Sequence, residues 1–261
     1  MRAGRLPVGL GILAALAVAM VAVPLLGLLL HTPWRELGSV LGAPDVGQAM
    51  VLSLESSLGA LGVSLLLGVP LAWILARTNF RGRDLVRALV TLPMVLPPVV
   101  GGVALLFAFG RHGLVGQFLA GVPGFPAPFT TGAVVLAETF VAMPFMVITA
   151  EAGLRQMDTR YEEAAATLGA GPWRRFRTIT LPLIAPSLGA GAALSWARAL
   201  GEFGATITFA GNLPGRTQTM PTAIYVLLET NPDHAVAVSL LLLVLSLAVL
   251  VLLRGRWLGA R

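Results

Sequence analysis

The chain has no cysteine and no lysine, only two tyrosines, and charged side chains at just 11% of its 261 residues. Each shortage excludes something. Without cysteine there is no disulfide, no thiolate metal site and no thiol nucleophile. Without lysine there is no Walker-type phosphate loop, whose lysine reaches the β- and γ-phosphates, so the chain does not cradle ATP by itself. A soluble domain carries about 25% charged residues. Less than half of that, beside 56% hydrophobic residues, places the chain in the membrane class. The three histidines, His31, His112 and His234, fall in three separate outer loops and make no metal-ligand set. The net charge of +6 is not gathered on a soluble domain with stacking aromatics, so no nucleic-acid partner is expected.

What is present is a series of apolar runs, each near the roughly 20 residues that cross about 30 Å of hydrocarbon. The spans are expected at Leu6–Leu30, Met50–Ala76, Arg87–Phe109, Thr130–Ala150, a fifth opened by Pro182 and running through "LSWARALGEFGATI", and Ala235–Leu253. The first follows Arg2 and Arg5 but exceeds a signal-peptide core and lacks a small-residue cleavage site, so it is read as a retained helix. The fold expected is therefore an all-α membrane protein of six transmembrane helices, one domain over residues 1–261.

The arginines orient it. With the N-terminus inside, the inner segments hold Arg2, Arg5, Arg77, Arg81, Arg83, Arg87, Arg155, Arg160, Arg174, Arg175, Arg177, Arg254, Arg256 and Arg261. The outer segments hold Arg35, Arg111 and Arg216, and Arg198 lies within the fifth span. This positive-inside bias requires an even number of crossings, with both termini cytoplasmic. Two outer loops, "HTPWRELGSVLGAPDVGQ" and "RHGLVGQFLAGVPGFPAPFT", have room for short interfacial helices; a third, "FAGNLPGRTQTMPTAIYVLLETNPDH", is polar and studded with turn residues.

One cytoplasmic segment, about 155–181, breaks the apolar pattern with "YEEAAATLGAGPWRRFRTITLP". Asp158 or Thr159 can cap a short helix, and Glu162 and Glu163 sit in its first turns, where carboxylates suit the positive end of the dipole. Alanines 164–166 form helix with little bulk, Gly169 can end it in a left-handed conformation, and Pro172 fits the first turn of a second helix. The segment has no histidine, metal-ligand spacing or nucleophile–base pair, and nothing in it is catalytic. Its chemistry suits either a helix lying on the inner leaflet, arginines towards anionic lipid, or a helix docking a protein partner.

Glu163-Ala164-Ala165, three residues, Gly169, nine residues, Ile179, one residue, Leu181-Pro182 resembles the EAA-x3-G-x9-I-x-LP signature of binding-protein-dependent ABC importer permeases at every defined position. "LPMVLPPVVGG" (92–102), "RALGEFGATITFAGN" (198–212) and "PGRTQTMPTAIY" (214–225) look like the molybdate permease branch of the molybdate/tungstate/sulfate group, so the likeness covers essentially the whole chain. The resemblance implies a type I permease whose coupling helix fits a groove of a separate ATPase, with Glu163, Ala164, Ala165, Gly169, Leu181 and Pro182 at that interface. It also implies two ATPase subunits, which use ATP and magnesium, a second copy of this chain, an external oxyanion-binding protein, and a place in the bacterial inner membrane. Molybdate is the substrate favoured, with tungstate and sulfate as the alternatives.

Charges inside spans are rare and mark function by default. Arg198 and Glu202, four apart, share one helix face and can pair; they belong either to the translocation path or to a self-neutralising pair that packs helices or closes a gate. Gly201 and Gly204 can loosen that helix beside a cavity, and Thr206 and Thr208 supply hydroxyls. Pro97 and Pro98, with Pro93, break the third helix, which makes a cavity-lining kink a candidate part of the path. Glu138 suits an inter-helical hydrogen bond or, less simply, a proton relay. A secondary transporter would predict inverted repeats and paired broken helices with intramembrane acids, and a membrane enzyme would need a catalytic constellation. Neither is found.

Overall fold

The computed structural model describes residues 8–119, 121–122, 125 and 127–257. Arg2, Arg5 and Arg261, three of the arginines used to orient the chain, lie outside the described residues. The described part is helical: α1 (Val8–Leu30), α2 (Leu37–Leu41), α3 (Pro44–Arg77), α4 (Arg83–Thr91), α5 (Pro98–Phe109), α6 (Gly116–Leu119), α7 (Thr131–Gln156), α8 (Arg160–Thr167), α9 (Pro172–Arg175), α10 (Leu181–Leu200), α11 (Gly204–Phe209), α12 (Met220–Thr230) and α13 (Pro232–Trp257). Five stretches are long and apolar enough to cross a membrane, and a sixth exists if the bent pair Arg83–Met94 and Pro98–Phe109 counts as one span.

The bundle is organised around α7, which packs against α3 on one side and α10 on another. Small residues let those backbones approach, the usual means of packing helices where lipid supplies no hydrophobic drive between them. Ala133, Ala137, Ala142 and Ala150 of α7 are fully buried. A Cβ built on Gly153 would lie 2.6 Å from Ser187 Cβ of α10, and one on Gly68 of α3 would lie 3.2 Å from Met146 Cγ. By contrast α1 is buried nowhere along its length and meets α13.

The third span is interrupted within "LPMVLPPVVGG", as its prolines lead one to expect: α4 and a 3₁₀ turn at Leu92–Met94 meet α5 at 116°. Pro97 and Pro98 cause the break, because neither donates a backbone hydrogen bond and Pro97 is held extended (ψ 131°) as the residue before a proline. Three expectations need correction, and the first is that Pro182 does not open the fifth span. The helix runs without interruption from Pro172 to Leu200, absorbing Pro182 through a π turn at Phe176–Thr180 in which the Leu181 N–H bonds to the Phe176 carbonyl. That span also ends early. Gly201–Phe203 leave the helix, so "GEFGATI" belongs to a break and to the separate short helix α11. Finally, the outer loop read as turns carries the eleven-residue α12, started by Pro221 at its second position.

Candidate functional site

The polar segment forms a helix–turn–helix at one end of the bundle. Asp158 Oδ1 accepts the Arg160 N–H at 3.0 Å, which opens α8, and Gly169 ends it at φ +81°. In that turn the Ala170 N–H bonds back to the Ala165 carbonyl and the Gly169 N–H to the Ala166 carbonyl, the Schellman arrangement that a left-handed glycine permits. Pro172 is the first residue of α9. The two glutamates have opposite settings. Glu162 turns inward, where it accepts a hydrogen bond from Thr180 Oγ1 and pairs with Arg77 at the end of α3 at 3.5 Å. Glu163 is exposed and has no ion pair or side-chain hydrogen bond among the described residues. Ala164 and Gly169 are exposed with it, while Ala165 is half-buried. Leu181 and Pro182 are exposed too, but they sit in the next helix, joined to α8 through the Thr180–Glu162 hydrogen bond.

A second group of polar residues lies inside the bundle. Arg198, in the last turn of α10, pairs with Glu202, which is 1% exposed. Glu202 stands just past the helix end, and its second carboxylate oxygen accepts the Ala205 N–H at 2.8 Å, so the same side chain that neutralises Arg198 caps α11. Removing Arg198 would leave a buried carboxylate without its cation, a loss of about 3 kcal/mol at the low end for a buried pair, since the arginine is partly exposed. Arg198→Ala is therefore expected to lower the melting temperature in detergent clearly. Glu202→Gln should cost less, because an amide oxygen still accepts from Ala205, and adding it to Arg198→Ala should recover stability.

α11 crosses α5 at two glycines. A Cβ on Gly204 would stand 2.7 Å from Pro98 Cβ, and one on Gly102 would stand 2.7 Å from Thr208 Cβ and 2.9 Å from the Ala205 carbonyl oxygen. Pro98 thus meets Gly204 at the α5–α11 crossing, and Glu202, which holds Arg198 of α10, caps the start of the same α11 that carries Thr206. Thr206 is fully buried, and its hydroxyl has no hydrogen-bond partner among the described residues. Thr208, by contrast, bonds its own helix at Gly204. Glu138 of α7 is 1% exposed and accepts from Ser56 Oγ of α3 at 2.9 Å, an inter-helical hydrogen bond rather than a relay.

Some participants escaped the sequence reading. On α3, Ser53 accepts the Met220 N–H that begins α12, Ser56 donates to Glu138, and Ser57 accepts from Trp196 Nε1 of α10 at 3.0 Å. One helix face thereby holds three others. The signal was present as serines at 53, 56, 57 and 64, a single face at helical spacing. The half-buried cluster of Arg87 with Asp84, Glu151 and Arg155, paired at 2.7–2.8 Å, fastens α4 to α7. The Asp84–Arg87 and Glu151–Arg155 spacings hinted at its two halves, and the Arg87–Glu151 pair that joins them was not legible.

The chain matches the family described as "binding-protein-dependent transport system inner membrane component" over residues 68–261. It is 45% identical over 236 residues to a molybdenum transport system permease protein ModB of Mycobacterium tuberculosis, covering 90% of this chain and 89% of the relative. It is 44% identical to the protein of that name from Escherichia coli K12, covering 81% and 93%. Among solved structures, a bacterial ABC transporter that imports the acidic polysaccharide alginate has a chain that superposes with TM-score 0.72, covering 95% of this chain at 20% identity, a likeness of fold alone. The chain belongs to the binding-protein-dependent transport system inner membrane components, the multi-pass permease subunits of ABC importers.

Proposed function

We propose that this chain is the permease of an ATP-driven molybdate importer and that α8 is the element through which a separate ATPase moves it. Permeases of this family work with such an ATPase and with a binding protein on the far side of the membrane. The observation that carries the reading is the division of labour between the two glutamates. Glu162 anchors α8 to the ends of α3 and of the π turn, whereas Glu163 and the small residues Ala164 and Gly169 are exposed, and Glu163 has no side-chain partner among the described residues. A displacement applied to α8 is passed to α10, which carries the Arg198–Glu202 pair, and from its end to the α11–α5 crossing. Alternating access then consists of opening and closing at that crossing, driven by ATP binding and reset by hydrolysis. The pair lines or gates the path, and Thr206 offers a neutral hydroxyl to a passing oxyanion.

Further parts of the reading are a single permease domain, two copies of the chain with two ATPase subunits, both termini in the cytoplasm, and no ATP site in this chain. Molybdate is favoured by the two relatives described above together with the tract "GEFGATITFAGNLPGRTQTMP" (201–221). The test is uptake of labelled molybdate by proteoliposomes holding the full transporter and its binding protein. Unlabelled molybdate is expected to compete at least tenfold better than sulfate, and tungstate comparably to molybdate. Equal competition by sulfate would move the assignment to the sulfate branch. Unaltered molybdate uptake in Arg198→Ala would remove that residue from the path.

A further inference from the structure

The long helix that begins at α9 leaves an apolar groove against α3. About 530 Å³ in volume, it is lined by Pro70, Trp73 and Ile74 of α3 and by Pro172, Trp173 and Phe176. Trp73 and Ile74 precede Arg77, the last residue of α3, by four and three positions, which places the groove about 5–6 Å from the helix end at 1.5 Å per residue. With Arg77 at the inner surface, as in the orientation proposed above, that is the depth where acyl chains meet headgroups and where tryptophans collect. A smaller cavity of about 120 Å³ continues it, sharing Trp73, Pro172 and Phe176 and adding Arg175, Glu162 and Thr180. The Nε of Arg175 is buried there without a hydrogen-bond partner among the described residues. Trp173 stacks on Phe176 at 5.7 Å and lies under the Arg177 guanidinium at 5.9 Å, so the mouth of the groove is held in shape.

Charge separates this site from the other large cavity at the same end. The cavity of about 670 Å³ between α4 and α7 holds Arg87 and Arg155, but Asp84 and Glu151 line it too and neutralise them. At the α3–α9 groove Arg175 lines the smaller cavity and Arg177 lies over Trp173 at the mouth, while Glu162, the acid that faces the smaller cavity, is already paired with Arg77. An apolar slot opening at headgroup depth onto an unbalanced arginine cluster fits an amphiphile with a negative head. We propose that this groove binds an anionic phospholipid, an acyl chain lying on Trp73 and Trp173 and the phosphate meeting Arg175 and Arg177. With the orientation proposed above, the lipid belongs to the inner leaflet. The outward residues of α8, Tyr161, Glu163 and Leu168, do not line the groove, so a lipid and a docked partner occupy different faces of one segment. Lipid charge and ATPase docking would then act on the same lever.

The test uses the assembled permease–ATPase complex in proteoliposomes containing either brominated phosphatidylglycerol or brominated phosphatidylcholine, with tryptophan fluorescence as the readout. Both leaflets carry the probe lipid, so the result does not depend on the orientation of the chain. Quenching is expected to reach half its maximum at several-fold less brominated phosphatidylglycerol than phosphatidylcholine. The Trp73→Phe, Trp173→Phe double variant should lose that selective component. Arg175→Gln and Arg177→Gln should each reduce the preference about fivefold, from the usual worth of a basic residue at an anionic surface. Equal quenching of the unmodified complex by the two lipids would overturn the proposal. So would selective quenching that survives the double variant, or absence of quenching at Trp73 and Trp173, which would give the groove to the ATPase or to a second copy of this chain. The comparison of lipids on the unmodified complex stands even if a variant fails to assemble.

Discussion

Glu163→Arg is expected to lower binding-protein-stimulated ATP hydrolysis by one to two orders of magnitude while leaving membrane insertion and melting temperature unchanged. The size follows from a lost charge-assisted contact, worth about 1.5–3 kcal/mol, and charge reversal adds repulsion to that loss. The selectivity follows from the structure, since Glu163 is exposed and has no intrachain partner among the described residues to lose. Glu162→Gln, one position earlier, should behave in the opposite way. Its carboxylate bonds Thr180 and Arg77, so the variant loosens the segment in the isolated permease before any ATPase is added. Gly169 divides the same question differently. A Cβ there meets nothing in the chain, yet the left-handed φ costs a non-glycine residue about 1–2 kcal/mol. Gly169→Ala should therefore show a modest coupling loss and Gly169→Leu a severe one. Equal losses would mean that the turn conformation, and not an approaching surface, is what the glycine serves, and normal coupling in Glu163→Arg would sink the docking role of α8.

Gly102→Leu is expected to abolish uptake and to reduce stability by about 3 kcal/mol or more, at the upper end for overpacking. The atoms a side chain would strike include the Ala205 carbonyl oxygen at 2.9 Å and Ala205 Cα at 3.0 Å, and backbone does not rotate out of the way as a side-chain tip does. The α5–α11 crossing must part, and with it the cap that Glu202 places on α11. Gly204→Leu should follow the same course against Pro98 and Val99. Gly62→Leu is the matched control. It lies on a spanning helix with no atom within 4 Å of the added carbon, and it should fall within about 0.5 kcal/mol of the unmodified protein. Transport by Gly102→Leu at the normal rate would show that α5 and α11 do not need to close on one another.

Much of this protein was written in local pattern. Apolar length located the spans because one helix must satisfy its own backbone in lipid. The Gly169 turn and Pro172 start were legible because each depends on the conformational limits of a single residue. Arg198 and Glu202 could be paired from spacing alone. The break at Pro97–Pro98 was visible as a kink, but its 116° angle was not, since the angle depends on where α5 finds a partner. The early end of α10 was hidden for the same reason: apolar content continues through "FGATITF", and what stops the helix is Glu202 turning to cap α11. The spacing that resembles the EAA signature singled out Glu163, but nothing local showed Glu162 to be an anchor, because its partners Arg77 and Thr180 lie 85 and 18 positions away.

By itself, then, the order of amino acids determined a membrane-spanning helical chain, its polar segment, and its inability to cradle ATP. These follow from hydrophobicity, local conformation and missing residue types, which act over a few positions. Tertiary structure alone decided what Glu162 anchors, which helices the serines of α3 hold, and where the prolines and glycines of α5 and α11 close on each other. Those depend on distances between segments far apart in the chain, and only packing sets such distances.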